Sequence, residues 1–313
     1  MSGQIRPAAE IREGSESSIS IIVVTMNRRG EVLALLSGLA RVRKAQGDQV
    51  VVVDNGSTDG TCEAVQRLHP EVLFLRHEAN RGAPAARNAG AAASSGNVLI
   101  FLDDDSRVED PAFLDRVRTA FRADQLMGVA AFMILDPASR RPRSFEIPRK
   151  LKETPTEPFE TSHFIAAGCA VRREVYQAVG GMDETLQYGF EELDFSYRAV
   201  AAGFRIIYRP EIRMLHNLSG AGRPQGRKIY YFCRNKIWIS ARYLPWRMVL
   251  VQALLWSAYG LKESLRIGRP DIFLKGLAAG LLGIPRRMGF RRKDRLPARV
   301  LARLRKIEGR LYY

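Results

Sequence analysis

Short apolar runs alternate with helix-forming segments along the first hundred residues, and this alternation constrains the fold more than any other feature. The runs are ISIIVVT (19–25), QVVVV (49–53), VLFL (72–75) and NVLIFL (97–102). Such alternation is typical of βαβ units around a parallel sheet, and unbroken apolar runs indicate strands that are covered on both faces. We therefore predict an α/β fold with a parallel central sheet and flanking helices.

Polar clusters follow three of these predicted strands at the points where the strands end. The clusters are Thr25 to Asn27, Asp54 to Asp59, and Asp103 to Asp105. Ligands of open α/β sheets bind beyond the carboxyl ends of the strands. The coincidence predicts a binding site at this edge of the sheet.

The third cluster places three carboxylates side by side, in FLDDDSRVED (101–110). Like charges this close repel and raise one another's pKa, and a bound cation would offset the repulsion. Asp103 and Asp105 have the Asp-x-Asp spacing at which a turn presents oxygen ligands to Mg²⁺ or Mn²⁺. The alternative is a solvated acidic turn, followed by a helix that Asp110 caps.

The segment GFEELDFSYR (189–198) also has two interpretations. Glu191 and Glu192 are typical of an acidic first turn, which the helix dipole favours, and Asp194 is spaced for an ion pair with Arg198. Alternatively, one of these carboxylates is a general base beside the cation. His216 likewise has two interpretations, as a packed residue or as a metal ligand.

The net charge of +16 is concentrated in the last third of the chain. Residues 223–313 hold 22 Lys and Arg against four Asp and Glu, a charge of +18. Two apolar stretches here, 248–259 and 272–284, are shorter than the ~20 residues that a membrane span needs, and their Trp, Tyr and Arg neighbours are typical of helices lying at a membrane interface. The alternative is that these helices pack onto the preceding domain.

Other function classes fit less well. The first strand is followed by TMNRRGE, which lacks the G-x-G-x-x-G of a dinucleotide-dependent oxidoreductase. A nucleic-acid-binding module would use the basic tail but would not explain acidic residues at strand ends. Three widely spaced cysteines do not predict a disulfide framework, and the polar N-terminus does not resemble a signal peptide.

The motifs together resemble the family-2 glycosyltransferases of GT-A fold, in particular a rhamnosyltransferase-like bacterial subgroup. In chain order they are VVTMN, VVVVDNGSTDGT, NRGAPAARNAG, VLIFLDDDSRV, GCAVRREVYQAVGGMDE and GFEELDFSYRAVAAGF, followed by a histidine. The resemblance covers about residues 18–220 and implies a Rossmann-like α/β fold with a mixed, mainly parallel central sheet and flanking helices. It divides the chain into a flexible lead (1–17), a GT-A catalytic domain (18–222) and a basic, aromatic, helical C-terminal region next to the membrane (223–313).

The resemblance implies an inverting transfer of a sugar from a nucleotide-diphosphate sugar to an acceptor hydroxyl, in bacterial cell-surface polysaccharide or glycolipid synthesis. It places the donor against a set of polar residues: Thr25, Asn27, Asp54, Arg87, Asn88, Asp103 and Asp104. It implies a divalent cation, Mg²⁺ or Mn²⁺, on Asp105 and His216 with Asp103.

For the acceptor side, the resemblance implies Glu192 as the catalytic base. The family has Glu-Asp where this chain has Glu191-Glu192, so Glu191 and Asp194 are further candidates for the base. Gly168 and Asp183 are expected to face the acceptor.

The expected partners are the nucleotide-sugar donor, a saccharide or lipid-linked acceptor, and an anionic membrane surface that meets the C-terminal region. No nucleic acid is expected. The expected location is cytoplasmic, at the inner face of the cell membrane. The alternative function is a nucleic-acid-binding or membrane-binding protein whose nucleotide-sugar domain is inactive.

Overall fold

The computed structural model describes residues 18–42, 44–148, 154–218, 226–284 and 295–307. The predicted N-terminal lead, residues 1–17, lies outside this described part.

The described chain contains one mixed sheet, with strand order β3-β2-β1-β4-β8-β6-β9-β5 and β7 paired to β9. Its strands are β1 (Ile19–Thr25), β2 (Gln49–Asp54), β3 (Leu73–Arg76), β4 (Val98–Asp103), β5 (Ser106–Arg107), β6 (Met127–Leu135), β7 (Phe159–Glu160), β8 (Gly168–Arg172) and β9 (Arg205–His216). Strands β1 to β4 pair in parallel, and β8 is antiparallel to both β4 and β6. The predicted α/β class with a mixed central sheet is confirmed.

Helices cover both faces of the sheet. They are α1 (Arg29–Leu39), α2 (Thr61–Leu68), α3 (Ala83–Ala93), α4 (Phe113–Ala123), α5 (Arg173–Ala178), α6 (Glu191–Ala201), α7 (Arg227–Tyr243), α8 (Trp246–Arg266), α9 (Pro270–Gly283) and α10 (Ala298–Lys306), with a 3₁₀ turn at Glu184–Leu186. Along β4, Leu99 and Phe101 belong to one hydrophobic cluster, whereas Ile100 and Leu102 belong to another on the opposite face. Burial on both faces explains why the strands are continuous apolar runs.

The parallel register aligns the polar strand ends. Thr25 lies opposite Asp54, and Val24 lies opposite Asp103. The three polar clusters therefore meet at one edge of the sheet, as their positions in the sequence predict.

The C-terminal section is not a separate body. Trp238, Ile239 and Tyr243 of α7 and Leu304 of α10 join the hydrophobic cluster on one face of the sheet. Helices α8 and α9 pack on α7, where Gly276 lets α9 approach so closely that a Cβ would lie 2.7 Å from the carbonyl oxygen of Tyr230. None of the helices in the described ranges is both long and apolar enough to span a membrane.

Candidate functional site

A cavity of about 280 Å³ opens where β1 and β4 end. Its walls come from the strand ends, α3, the first turn of α6 and the first turn of α7. The lining includes Thr25, Arg28, Asn55, Arg87, Asp103, Asp104, Tyr188, Glu191, Glu192, His216, Arg227, Lys228 and Phe232. The cavity thus brings the strand-end carboxylates, the predicted base and the predicted metal histidine together.

A cluster of two carboxylates and one imidazole lies on one side of this cavity. Strand β5 pairs antiparallel with the end of β9, which puts Ser106 opposite His216. The Nε2 atom of His216 is 3.1 Å from Oδ1 of Asp105 and 3.8 Å from Oδ2 of Asp103. One ligand atom from each of the three residues lies within 4.8 Å of the others, which suits a single metal ion.

The loop before β7 orients the His216 ring. Its Nδ1 lies 2.7 Å from Oε1 of Glu146, a buried carboxylate, so Nδ1 donates to Glu146 and Nε2 faces the aspartates. Arg143 donates to the backbone oxygen of His216 at 3.0 Å and lies 3.2 Å from Oε2 of Glu146. A carboxylate behind the imidazole is a common support for a metal-binding histidine.

The ligand atoms of Asp103, Asp105 and His216 suit a divalent cation. Nε2 of His216 is buried and has no hydrogen-bond partner in the described part of the chain, although carboxylate oxygens are close. Burial opposes protonation of the ring, but the nearby carboxylates of Asp105 and Glu146 outweigh it and raise the pKa of His216 to about 10, so a cation bound here would replace the Nε2 proton. Two carboxylates with one imidazole suit Mg²⁺ or Mn²⁺.

Asp104 has a different role from its two neighbours. It accepts a hydrogen bond from Oγ1 of Thr25 at 2.9 Å and one from Arg28 at 2.7 Å. Burial raises the pKa of the Asp104 carboxyl to about 6, although the charge of Arg28 opposes this. Arg28 also lies 3.2 Å from Asp105, so a buried guanidinium offsets part of the acidic repulsion.

Arg87 on α3 connects the metal cluster to the predicted base. Its guanidinium donates to Asp103 at 2.9 Å and to Glu191 at 2.7 Å. Glu191 is therefore held in a buried ion pair. Its neighbour Glu192 lines the cavity with Oε2 buried and not hydrogen-bonded within the described ranges. Burial, and then the charge of Glu191, raise the pKa of Glu192 to about 8, which suits a proton acceptor near neutral pH.

The predicted nucleoside residues lie at the ends of β1 and β2. Asp54 accepts from the backbone N–H of Ser57 at 3.1 Å through Oδ1, whereas its buried Oδ2 has no hydrogen-bond partner in the described chain. Asn27 has a φ of 52° and accepts from the N–H of Thr58 at 2.8 Å. Asp54 is fully buried and does not line the cavity, and Asn27 ties the two loops together.

Two other predicted site residues make contacts away from the cavity. Asn88 bonds Met182 and Tyr176, which joins α3 to the loop before the 3₁₀ turn. Asp194 accepts from Arg198 at 2.9 Å and from Tyr243 at 2.7 Å and is not part of the cavity lining.

Both residues expected on the acceptor side have structural contacts as well. Asp183 caps the 3₁₀ turn and pairs with Arg242 at 3.0 Å. Gly168 packs so tightly in β8 that a Cβ would lie 2.4 Å from Sδ of Met214.

Several residues that line the cavity or support His216 are absent from the predicted set. Arg28 lies three residues after the end of β1, so its position only weakly indicates that its side chain contacts the acidic cluster. Glu146 and Arg143 belong to a segment without periodicity, and Arg227 and Lys228 come from the basic section, so nothing in the pattern tied them to this site.

The chain is similar to known proteins in both sequence and fold. Residues 20–180 match the model of the family described as glycosyl transferase family 2. The chain is 25% identical over 248 residues to the O-antigen biosynthesis protein RfbC of Myxococcus xanthus, an alignment that covers 73% of this chain and 19% of that protein. It is 28% identical over 214 residues to the dTDP-rhamnosyl transferase RfbF of Shigella flexneri, with 64% and 69% covered.

Among solved structures, the mannosyltransferase PcManGT from Pyrobaculum calidifontis, in complex with GDP-Man and Mn²⁺, has a TM-score of 0.58 at 19% identity. The likeness covers 90% of this chain and 84% of that one and shows a common fold. Because the family match takes in about half of the residues, this chain belongs to glycosyl transferase family 2.

Proposed function

We propose that the protein is an inverting, metal-dependent glycosyltransferase that moves a sugar from a nucleotide-diphosphate donor to an acceptor hydroxyl in cell-surface polysaccharide synthesis. The observation that carries the proposal is that Glu192 lines the same cavity as Asp103 and His216, which form a cluster with Asp105. The names of RfbC and RfbF, with their O-antigen and dTDP-rhamnosyl descriptions, support the substrate class. The Mn²⁺ and GDP-Man of PcManGT support the cofactor class.

The donor end of the reaction needs positive charge. A divalent cation held by Asp103, Asp105 and His216 would stabilise the negative charge on the departing diphosphate. Arg87 lines the same cavity and adds a fixed guanidinium there.

The acceptor end needs a base. The acceptor oxygen attacks the anomeric carbon from the side opposite the diphosphate, a C–O bond forms as the donor's C–O bond breaks, and Glu192 takes the hydroxyl proton. Glu191 is held in an ion pair with Arg87, whereas Glu192 lines the cavity and makes no ion pair among those that the described residues show. A single displacement of this kind inverts the configuration at the anomeric carbon.

A panel of nucleotide sugars tests the reaction class. Each donor is incubated with Mn²⁺, Mg²⁺ or EDTA and a mixture of saccharide acceptors, and the products are analysed by mass spectrometry and proton NMR. We expect one donor class to be consumed only with metal, giving a product of inverted anomeric configuration. Transfer that survives EDTA would reject the metal, and retained configuration would reject the single displacement.

We also propose that α8 and α9 rest on an anionic membrane surface at the inner face of the cell membrane. Most of the large exposed apolar side chains in the described chain belong to these two helices: Trp246, Leu250, Val251, Leu254, Leu255, Tyr259, Leu261, Leu265, Leu274, Leu281 and Leu282. Most of those on α8 recur at spacings of three or four residues, so they lie along one side of the helix. An apolar patch this large on a surface indicates a partner.

The charges near this patch favour a lipid partner over another protein. Arg247 and Lys262 are exposed on α8, and the region from residue 223 onward carries a charge of +18. Apolar side chains flanked by basic residues bind anionic bilayers, where each Lys or Arg near the surface contributes about 1 kcal/mol.

Vesicle flotation tests the membrane proposal. We expect the full chain to float with vesicles that contain phosphatidylglycerol, and the pair Leu254→Ser with Leu282→Ser to lose most of this binding. Leu68→Ser with Leu126→Ser is the matched control, because both leucines are exposed on the catalytic part. Equal flotation of the two double variants would show that this surface does not bind the membrane. If the wild-type protein is instead a dimer that dissociates only in the variant Leu254→Ser with Leu282→Ser, the patch binds a second copy of the chain.

A further inference from the structure

The backbone directly before Glu191 and Glu192 is irregular. Three residues in this short stretch have positive φ angles: Gln187 at 59°, Gly189 at 78° and Phe190 at 68°. Non-glycine residues adopt this conformation only when their surroundings enforce it. The segment 185–190 pairs with no strand, so its carbonyl groups need other hydrogen-bond donors.

Two adjacent side chains of α7 supply those donors. The amide of Asn235, which is fully buried, donates to the carbonyl oxygens of Leu186 at 2.9 Å, Tyr188 at 3.0 Å and Gly189 at 2.8 Å. Arg234 donates to the carbonyl oxygens of Thr185 at 3.0 Å and Leu186 at 2.8 Å.

Arg234 also fixes the orientation of the Asn235 amide. Its Nε donates to Oδ1 of Asn235 at 2.8 Å, so the amide nitrogen faces the loop. We call these two side chains, Arg234 and Asn235, the α7 clamp.

The clamped segment also touches the donor side of the cavity. The carbonyl oxygen of Gln187 accepts from the N–H of Ala83, the first residue of α3, at 3.0 Å. A Cβ on Gly82 would lie 2.8 Å from the same Gln187 backbone, so the two loops are in close contact. Helix α3 carries Arg87, which holds Glu191. One short segment therefore sets where α6 begins relative to α3.

We infer that Arg234 and Asn235 are positioning residues that hold the backbone of 185–190, and through it place Glu192 against the acceptor hydroxyl. The inference rests on the proposed function for the role of Glu192. Both residues, like Glu192 itself, lie outside residues 20–180, which match the family model. Reaction rates are sensitive to such placement, since a shift of about 1 Å can cost 100-fold.

Variants at Asn235 separate hydrogen bonding from packing. Asn235→Ala removes the amide, and Asn235→Asp keeps its size but cannot donate to carbonyl oxygens. Tyr243→Phe is the matched control, because it removes another buried hydrogen bond from α7 to α6, the one to Asp194, two residues beyond Glu192. Arg234→Met is the second variant should the Asn235 variants fail to fold.

We expect both Asn235 variants to lower kcat at least about 30-fold with the active donor, while the nucleoside diphosphate Kd from calorimetry changes by less than about threefold. Hydrogen exchange should speed up at amides 185–192 in these variants and in Arg234→Met, but not in Tyr243→Phe. Wild-type kcat in Asn235→Asp would overturn the inference, as would an equal kcat loss in Tyr243→Phe or a parallel loss of nucleotide affinity.

The exchange readout keeps this inference distinct from the proposed function. Should the wild-type protein transfer no sugar, the enzyme proposal fails, and the exchange of amides 185–192 still decides whether the α7 clamp holds the segment. Unchanged exchange in Asn235→Ala and in Arg234→Met would reject the clamp in either case.

Discussion

The Nε2 atom of His216 lies 3.1 Å from Oδ1 of Asp105, although the two residues are far apart in the sequence. The two-residue strand β5 makes this contact possible by pairing Ser106 with His216 at the very end of β9. The acidic turn and the histidine therefore lie on adjacent strands of one sheet. A metal ion at this place would be held by the scaffold itself, which keeps its ligands in fixed positions.

The first prediction concerns the metal ligands. His216→Ala removes a ligand, and Asp105→Asn replaces a charged oxygen with a neutral one, so we expect either change to weaken Mn²⁺ binding by more than about 100-fold. Calorimetric titration with Mn²⁺ measures the effect. Glu109→Gln is the control, because this nearby carboxylate is exposed and pairs with Arg140. Affinity that falls as far in the control as in the ligand variants would contradict the assignment.

Glu146 provides a second prediction because it holds the far side of the His216 ring at 2.7 Å. Glu146→Ala frees the ring to rotate, and we expect Mn²⁺ affinity to fall about 10- to 100-fold. Glu146→Gln keeps an acceptor for Nδ1 and should lose less. A single titration series should give Mn²⁺ affinities that decrease in the order wild type, Glu146→Gln, Glu146→Ala. Equal affinities for all three proteins would show that Glu146 does not support the His216 ring.

The sequence predicted the elements of the parallel half with small errors at their ends, because both-face burial leaves an unmistakable apolar run. It also located the acidic turn, since the carboxyl ends of parallel strands meet at one edge. The antiparallel half was harder. Strand β6 and strand β9, which continues to His216, lie beyond the four apolar runs from which the sheet was predicted.

Side-chain roles within the site depended on contacts that no local pattern encodes. Asp104 binds Thr25 and Arg28 because a turn points successive side chains in different directions, and spacing alone does not reveal which one faces inward. Glu146 acts on His216 from an irregular segment. Asp194 accepts a hydrogen bond from Tyr243 and so joins α6 to α7, a contact that no local sequence pattern indicates.

The raised pKa of Glu192, about 8, leads to a prediction about pH. A general base must be deprotonated, so kcat should rise with pH through this region and level off above it. Glu192→Gln cannot accept the proton, and we expect its kcat to fall at least about 1000-fold at every pH. A pH series of initial rates with saturating donor and metal measures both. A substantial rate in Glu192→Gln with the same pH profile would move the base elsewhere.

Lys236 gives a prediction about stability. Burial lowers its pKa to about 7, and its ammonium lies 5.2 and 5.4 Å from the ring centres of Phe190 and Trp256. The unfolded chain binds the proton more tightly between pH 7 and the ordinary pKa near 10, so the wild-type protein gains stability as pH rises through this window. We expect Lys236→Met to raise the free energy of unfolding by roughly 1–3 kcal/mol at pH 7.

Urea unfolding at pH 7 and pH 9.5 measures that difference. The gap between Lys236→Met and wild type should shrink at the higher pH, where the folded lysine is neutral at little cost. Lys262→Met is the control, since this lysine is exposed on α8 and its loss should change stability by less than about 0.5 kcal/mol. A destabilised Lys236→Met would show that the ring contacts outweigh the cost of burial.

The most direct test of the central claim is the anomalous scattering of Mn²⁺ in a crystal grown with a nucleoside diphosphate. Our account predicts one manganese peak within coordination distance of Asp103, Asp105 and His216, with the diphosphate on the same ion and Glu192 across the cavity. A nucleotide bound elsewhere, or a manganese ion outside coordination distance of these three side chains, would contradict it.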